Sequence, residues 1–264
     1  MNRIKLGIDL ASLQLPLRKG LQEASRLNGV GVQLPATGDL SPRRLSQTGR
    51  RELRHLLQTH NLDCAALICP FRHGLDVAEG LMERIDILTQ ALTLSFDLGA
   101  RIVIVQAGPV PENDETPEAR HLDEALRTLG QHGDRTGTTL ALETGLDSGE
   151  NLAAYLGRFD TAGLGVSFDP GNMLVHGFDP YQSLRALRGK VTCCQAKDAR
   201  RAGASRSAAE VPLGHGDIDW LQMLGTFEEI EFRGWLTVKR EEGTNRLADV
   251  ATGFAFLRRL VGPN

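Results

Sequence analysis

The sequence predicts a single (β/α)8 barrel that spans residues 1–264, and three observations support this prediction. Short apolar runs alternate with longer amphipathic segments from one end of the chain to the other. Division of the 264 residues by eight repeats gives about 33 residues per unit, the size of one β-α unit. No linker, low-complexity tract or change in composition marks a second domain.

Eight segments have the composition of strands that are buried on both faces of a parallel sheet. Each is short, apolar, partly β-branched and bounded by glycine, proline or polar residues. In chain order we predict the strands Ile4–Asp9, Gly29–Leu34, Cys64–Cys69, Arg101–Gln106, Thr138–Glu143, Gly163–Asp169, Lys190–Gln195 and Gly234–Lys239.

Amphipathic helices are predicted between these strands. In the clearest one, Asp76–Leu98, aliphatic residues recur at steps of three and four. The others are Pro16–Leu27, Pro42–Thr59, Pro117–Gly130, Gly149–Leu156, Pro180–Leu187, Ile218–Glu229 and Leu247–Leu260. Strict alternation of strands and helices favours a parallel sheet. An open doubly wound sheet is the alternative, but no Gly-x-Gly-x-x-Gly loop follows the first strand.

Composition and charge restrict the partners of the protein. Charged residues make up 24% of the chain and the formal net charge is −3, which gives no general attraction to nucleic acid or anionic lipid. No run approaches the ~20 apolar residues of a membrane span, and no secretory signal peptide is recognisable. We therefore expect a cytoplasmic protein that binds a small molecule, and we leave open whether it forms a homo-oligomer.

The four cysteines are predicted to be small buried residues in a reducing compartment. They form no Cys-x-x-Cys pair, and three of them lie in apolar strand-like runs. Neither a disulfide nor a zinc site is expected from Cys64, Cys69, Cys193 and Cys194.

Polar side chains end the last four predicted strands. Glu143 ends the fifth strand, Asp169 the sixth, Gln195 the seventh and Lys239 the eighth. The active sites of (β/α)8 barrels lie at the carboxyl ends of the strands. We therefore expect two carboxylates, an amide and an ammonium group to face one pocket at the barrel mouth.

Short motifs surround these strand ends. They read ETG from residue 143, SFDPGN from 167, KD from 197, PLGHGDIDW from 212, WLTVKREEG from 235 and NRLAD from 245. On these motifs the sequence resembles the xylose isomerase-like family of sugar isomerases and epimerases, over essentially the whole chain. The resemblance implies one divalent metal ion, held by a Glu, an Asp, a His and a Glu after the fifth to eighth strands. It also implies that the two Glu residues transfer a proton between the carbons that flank a carbonyl.

Two of the four metal-ligand positions are altered. Glu143 and Asp169 keep the family pattern, but Gln195 stands where the resemblance implies a His and Lys239 where it implies a Glu. An ammonium group has no lone pair and cannot ligate a metal. We therefore expect a degenerate metal site at Glu143, Asp169 and Gln195, and no cofactor unless these groups still hold Mg²⁺, Mn²⁺ or Zn²⁺. We hypothesise that the Lys239 ammonium replaces the ion and bridges Glu143 and Asp169.

Further residues in the loops at the barrel mouth are predicted to contact a substrate. The loop from Ala199 to Pro212, with Arg200, Arg201 and Arg206, has the length and composition of a lid. The predicted substrate-binding residues are Arg72, His73, Gln106 and His215.

Three functions fit these features, and the sequence leaves open whether the protein is an enzyme. The first is an isomerase- or epimerase-like protein that binds a small sugar or hydroxy-keto compound, with Glu143 and Lys239 as catalytic residues. The second is a non-catalytic pseudoenzyme that binds a sugar or polyol. The third is metal-free catalysis with Lys239 as a base or a Schiff base. This chemistry needs a lowered lysine pKa, whereas nearby carboxylates raise it.

Overall fold

The protein is a closed barrel of eight parallel strands. The computed structural model describes residues 4–201 and 208–262. Seven barrel strands, a two-stranded hairpin (β8, β9) and the last barrel strand (β10) follow one another along the chain. They are β1 (Lys5–Asp9), β2 (Gly31–Pro35), β3 (Asp63–Cys69), β4 (Ile102–Val105), β5 (Thr139–Glu143), β6 (Leu164–Phe168), β7 (Val191–Ala196), β8 (Asp198–Arg201), β9 (Ala208–Val211) and β10 (Trp235–Val238).

Strand order follows chain order around the barrel, and β10 closes it by pairing in parallel with β1. This arrangement confirms the predicted (β/α)8 barrel and excludes the open doubly wound sheet. Every predicted barrel strand lies within two residues of its observed bounds.

Nine α-helices lie in the described part of the chain. They are α1 (Leu17–Arg26), α2 (Gln47–Thr59), α3 (Leu81–Leu98), α4 (Pro117–Thr136), α5 (Gly149–Leu156), α6 (Pro170–Val175), α7 (Pro180–Ala186), α8 (Trp220–Glu229) and α9 (Arg246–Val261). The helix predicted from Asp76 begins only at Leu81, because Gly80 before it has a φ of 66° and is not helical. Helix α6 was not predicted. None of these helices is both long and apolar enough to cross a membrane.

The inside of the barrel changes from apolar to polar along the strand direction. In the middle of their strands, Ala141 and Cys193 belong to a small apolar cluster that packs against Trp235. Successive strand residues point to opposite faces, so the next inward positions lie two residues further along. On β5 and β7 those positions are Glu143 and Gln195. The same strands that fill the barrel therefore carry the polar groups of its mouth.

All four cysteines are free and buried, as predicted. Burial raises the pKa of the Cys64 and Cys69 thiols to about 12. These side chains therefore stay protonated at neutral pH and act as packing residues.

The segment predicted as a lid contains the antiparallel hairpin β8–β9, which packs against α6 at the carboxyl end of the barrel. Residues 202–207, which include Arg206, lie outside the described residues. The buried Asp198 fixes the loop that follows β9: its carboxylate accepts hydrogen bonds from the backbone N–H groups of Gly214 at 2.9 Å and Gly216 at 3.1 Å. The Trp220 indole N–H donates to the same oxygen at 3.3 Å.

Candidate functional site

Glu143 and Lys239 face each other across the barrel mouth. Glu143 is the last residue of β5 and Lys239 directly follows β10. The Lys239 Nζ donates a hydrogen bond to Oε1 of Glu143 at 3.0 Å. Their side chains are only 5% and 10% exposed, so water screens this ion pair weakly.

Asp169 pairs with a second lysine, Lys197. This corrects the expectation that Lys239 bridges Glu143 and Asp169. The Nζ of Lys197 lies 3.4 Å from Oδ2 of Asp169 and donates to Oδ1 of Asn172 at 2.8 Å. Asp169 caps α6, because its Oδ1 accepts from the backbone N–H of Asn172 at 2.8 Å. The two carboxylates are therefore neutralised by two ammonium groups, and not by Lys239 alone.

Glu241 joins the two lysines. Its Oε1 lies 3.1 Å from the Nζ of Lys239, and its Oε2 accepts a hydrogen bond from the Nζ of Lys197. The Glu241 side chain is 49% exposed, whereas each lysine side chain is 5% exposed. Glu143, Asp169, Lys197, Lys239 and Glu241 form what we call the lysine cluster, with Glu241 on its solvent side.

The hairpin is attached to the lysine cluster through Glu210 of β9. Oε1 of Glu210 accepts hydrogen bonds from Arg240 Nη1 at 2.8 Å and from the backbone N–H of Glu241 at 2.9 Å. Its Oε2 lies 3.8 Å from the Nζ of Lys197. Arg240 also pairs with Asp249 of α9 at 3.0 Å. These contacts hold the loop after β10 against the hairpin.

Both lysines of the lysine cluster stay charged. Burial by itself lowers the pKa of Lys239, but the negative charges of Glu143 and Glu241 outweigh it, so the pKa is raised. The pKa of Lys197 is raised in the same way, because the charges of Asp169 and Glu241 outweigh burial. A Schiff base requires a neutral amine. The raised pKa of Lys239 therefore disfavours the lysine-dependent chemistry considered from the sequence.

Gln195 belongs to a buried hydrogen-bond chain next to the lysine cluster. Its Nε2 donates to Oε1 of Gln33 at 2.8 Å and to Oγ of Ser167 at 3.3 Å. Gln33 in turn donates to Asp9 at 3.1 Å. Within the described residues, Oε1 of Gln195 and Oδ2 of Asp169 receive no hydrogen bond. Buried acceptors normally have a donor, so these two oxygens are left with unused hydrogen-bonding capacity.

The four predicted substrate-binding residues lie in the loops at the carboxyl end of the barrel, and all are exposed. Arg72 and His73 follow β3, Gln106 follows β4, and His215 lies in the loop after β9. Among the described residues, their side chains form no ion pair or hydrogen bond with the lysine cluster. Their role in binding stays a prediction.

Sequence reasoning missed three charged residues of this site: Lys197, Glu241 and Glu210. A signal existed for the first two, because Lys197 follows Gln195 by two residues and Glu241 follows Lys239 by two. In an extended chain this spacing places both side chains on the same side. Glu210 carried no such signal, since its position depends on the hairpin.

These residues do not fit the divalent metal that the resemblance implies. A divalent cation needs lone-pair donors, and Lys239 offers none. Its ammonium group already contacts Glu143, and that of Lys197 faces Asp169, so each candidate carboxylate has a cation beside it. Within residues 4–201 and 208–262, no group of three or more His, Cys, Asp and Glu side chains is arranged to hold a metal.

The ionisation of Asp169 generates a prediction about stability. Burial raises the pKa of Asp169 from its usual 3.8 to about 6, and the neighbouring lysines only partly oppose this shift. The folded protein therefore binds the Asp169 proton more tightly than the unfolded chain does, and the contribution of this carboxyl group to stability is lost as the pH rises from about 4 to about 6. Asp169→Asn keeps an oxygen to cap α6 but has no charge to bury.

We expect the unfolding free energy of Asp169→Asn, relative to the natural protein, to increase between about pH 4.5 and about pH 7.5 by at least ~1 kcal/mol. Urea unfolding at the two pH values measures this difference. Both lysines stay charged at both pH values. A change in their own ionisation therefore cannot produce this pH dependence. A difference that stays constant or shrinks would contradict the raised pKa.

Comparison with known proteins places this chain in a family. The sequence model of the xylose isomerase-like TIM barrel family matches residues 21–260. Among curated proteins, none matches the chain. Similar solved structures include a xylose isomerase domain protein from Planctomyces limnophilus, with 24% identity, a TM-score of 0.83 and coverage of 98% of this chain and 96% of that one.

Two further structures have the same fold at 18% identity. A D-tagatose 3-epimerase-like protein has a TM-score of 0.80, with 98% of this chain and 97% of that one covered. A xylose isomerase-like TIM barrel protein from Mycobacterium smegmatis, solved in complex with magnesium, has a TM-score of 0.78, with 98% and 96% covered. The family match spans most of the sequence, and the closed parallel barrel agrees with it. This chain therefore belongs to the xylose isomerase-like TIM barrel family.

Proposed function

We propose that this protein binds a small sugar, polyol or hydroxy-keto compound at the barrel mouth without a divalent metal. The observation that carries the proposal is a pair of buried acceptor oxygens that receive no hydrogen bond within the described residues: Oδ2 of Asp169, which lies 3.4 Å from the Lys197 ammonium group, and Oε1 of Gln195. Ligand hydroxyl groups can donate to the acceptors and can accept from the lysines. A buried polar site of this kind favours a ligand with several hydroxyl groups over an apolar one.

The proposal separates binding from the isomerisation chemistry that the resemblance implies. Lys239 stands where the resemblance implies one proton-transferring Glu, and its ammonium group forms an ion pair with Glu143, where the resemblance implies the other. Both groups are paired, and the described residues offer no ligand set for a metal, so we propose that the protein binds its ligand without metal-dependent turnover. The D-tagatose 3-epimerase-like structure supports the sugar class of ligand, since it shares the fold.

The ligand proposal is tested by calorimetric titration with ketoses and alditols of four to six carbons in the presence of EDTA. We expect at least one of them to bind, and Gln195→Met to weaken that binding roughly tenfold, because methionine removes the free acceptor oxygen. Gln58→Met is the matched control, since Gln58 is an exposed glutamine on α2. Equal affinity of Gln195→Met and Gln58→Met for the ligand would contradict the role of Gln195.

The metal proposal is tested by restoring the family pattern. After incubation with MnCl₂ and removal of free ion, we expect little Mn²⁺ in the natural protein. The double variant Lys239→Glu with Gln195→His should retain about one ion per chain, because it supplies oxygen and imidazole ligands. Elemental analysis measures the manganese content of the natural protein and of the double variant. Adding Glu143→Ala to the double variant should abolish its manganese binding. About one Mn²⁺ per chain in the natural protein would overturn this part of the proposal.

A further inference from the structure

The carboxylate of Glu241 occupies an unusual position in the lysine cluster. It places one oxygen on each of two buried ammonium groups, with Oε1 at 3.1 Å from Lys239 and Oε2 on Lys197. One planar carboxylate thus bridges both cations. A carboxylate is the group whose two oxygens can each accept a charge-assisted hydrogen bond from a different ammonium.

Glu241 is the member of the lysine cluster that can leave it. Its side chain is 49% exposed and lies in the loop after β10, whereas both lysines are almost fully buried. The lysines keep other partners without it, since Lys239 also pairs with Glu143 and Lys197 also donates to Asn172. The backbone N–H of Glu241 is held separately by Glu210, so the loop stays anchored when the side chain turns outward.

We infer that the ligand carries a carboxylate, which binds Lys197 and Lys239 in place of the Glu241 side chain. This inference rests on the proposed function and narrows it to sugar acids and related hydroxy acids. A neutral sugar that displaced Glu241 would leave two buried cations with less negative charge, whereas a ligand carboxylate restores it.

The free acceptors fit the rest of such a ligand. Oδ2 of Asp169 lies 3.4 Å from the Nζ of Lys197 and receives no hydrogen bond within the described residues. A ligand carboxylate bound to Lys197 therefore lies beside an oxygen that can accept a hydrogen bond from a ligand hydroxyl group. The ammonium group of Lys197 and Oδ2 of Asp169 together match a 2-hydroxy acid, in which the carbon next to the carboxylate carries a hydroxyl group.

The inference is tested by calorimetric titration, in EDTA, of the natural protein, Glu241→Ala, Glu241→Gln and Glu242→Ala. The probes are D-xylonate and D-gluconate, with xylitol and D-glucitol as neutral counterparts of the same chain length, and D-glucitol 6-phosphate. We expect each aldonate to bind more tightly than its alditol. Glu241→Ala should tighten aldonate binding by roughly tenfold, because the competing internal carboxylate is gone.

Glu242→Ala is the matched control, since it removes an exposed carboxylate from the same loop and corrects for the general change in charge. It should leave the affinity for aldonates unchanged. Thermal unfolding verifies that the variants are folded, and Glu241→Gln, which keeps the size of the side chain, replaces Glu241→Ala if the alanine variant is unstable.

The remaining outcomes separate the inference from the proposed function. Alditols that bind as tightly as aldonates, or aldonate binding that Glu241→Ala weakens, would overturn the inference and leave the proposed function standing. D-glucitol 6-phosphate could instead bind more tightly than D-gluconate, with Glu241→Ala tightening its binding in the same way. The lysines would then bind a phosphate group, and the inferred ligand carboxylate would be wrong. If these probes and the neutral ketoses all fail to bind, the inference and the proposed function are both contradicted.

Discussion

The two ammonium groups of Lys197 and Lys239, enclosed among carboxylates at the end of the barrel, set the constraint on which the rest of the site depends. Transfer of a charge from water into a protein interior is costly and is offset only by close opposite charges and hydrogen bonds. Each lysine has both: Lys239 lies between Glu143 and Glu241, and Lys197 lies among Asp169, Asn172 and Glu241. Removal of a buried partner, Glu143 or Asp169, takes away negative charge that cannot be replaced by water, whereas the half-exposed Glu241 can leave because each lysine keeps another partner.

Charge balance also explains how the lysine cluster relates to the chemistry of the family. Close carboxylates at a barrel mouth repel one another, and a divalent ion is one way to neutralise them. Here an ammonium group stands beside each of the carboxylates that the family pattern assigns to the metal. The chain shares the barrel with its family, and we propose that the chemistry at its strand ends differs. Function in this architecture depends on the residues at the strand ends and not on the barrel itself.

Much of the fold could be predicted from the sequence because it rests on local patterns. The barrel strands are buried on both faces and read as short apolar runs, and helix α5 has the predicted bounds Gly149–Leu156, with Ser148 capping its first turn. Helix α6 was missed because it has only six residues and begins with Pro170 and Gly171, which resemble a turn. The hairpin was missed because its short strands have no apolar alternation to distinguish them from a loop.

The site was predictable in part for the same reason. Glu143, Asp169, Gln195 and Lys239 end strands, so the topology alone brings them together. Which ammonium group faces which carboxylate depends on side-chain distances in three dimensions, and the expected bridge from Lys239 to Asp169 was therefore wrong. The role of Glu210 depends on how the hairpin packs, which no local pattern encodes.

We propose that ammonium groups take the place of a metal ion in this barrel mouth. The most direct measurement is a crystal structure of the natural protein grown with MnCl₂, with anomalous diffraction data to locate manganese. We predict no manganese between Glu143 and Asp169, and the Lys239 Nζ close to its present 3.0 Å from Oε1 of Glu143. A manganese ion coordinated by Glu143 and Asp169, with Lys239 turned away from both, would contradict the account.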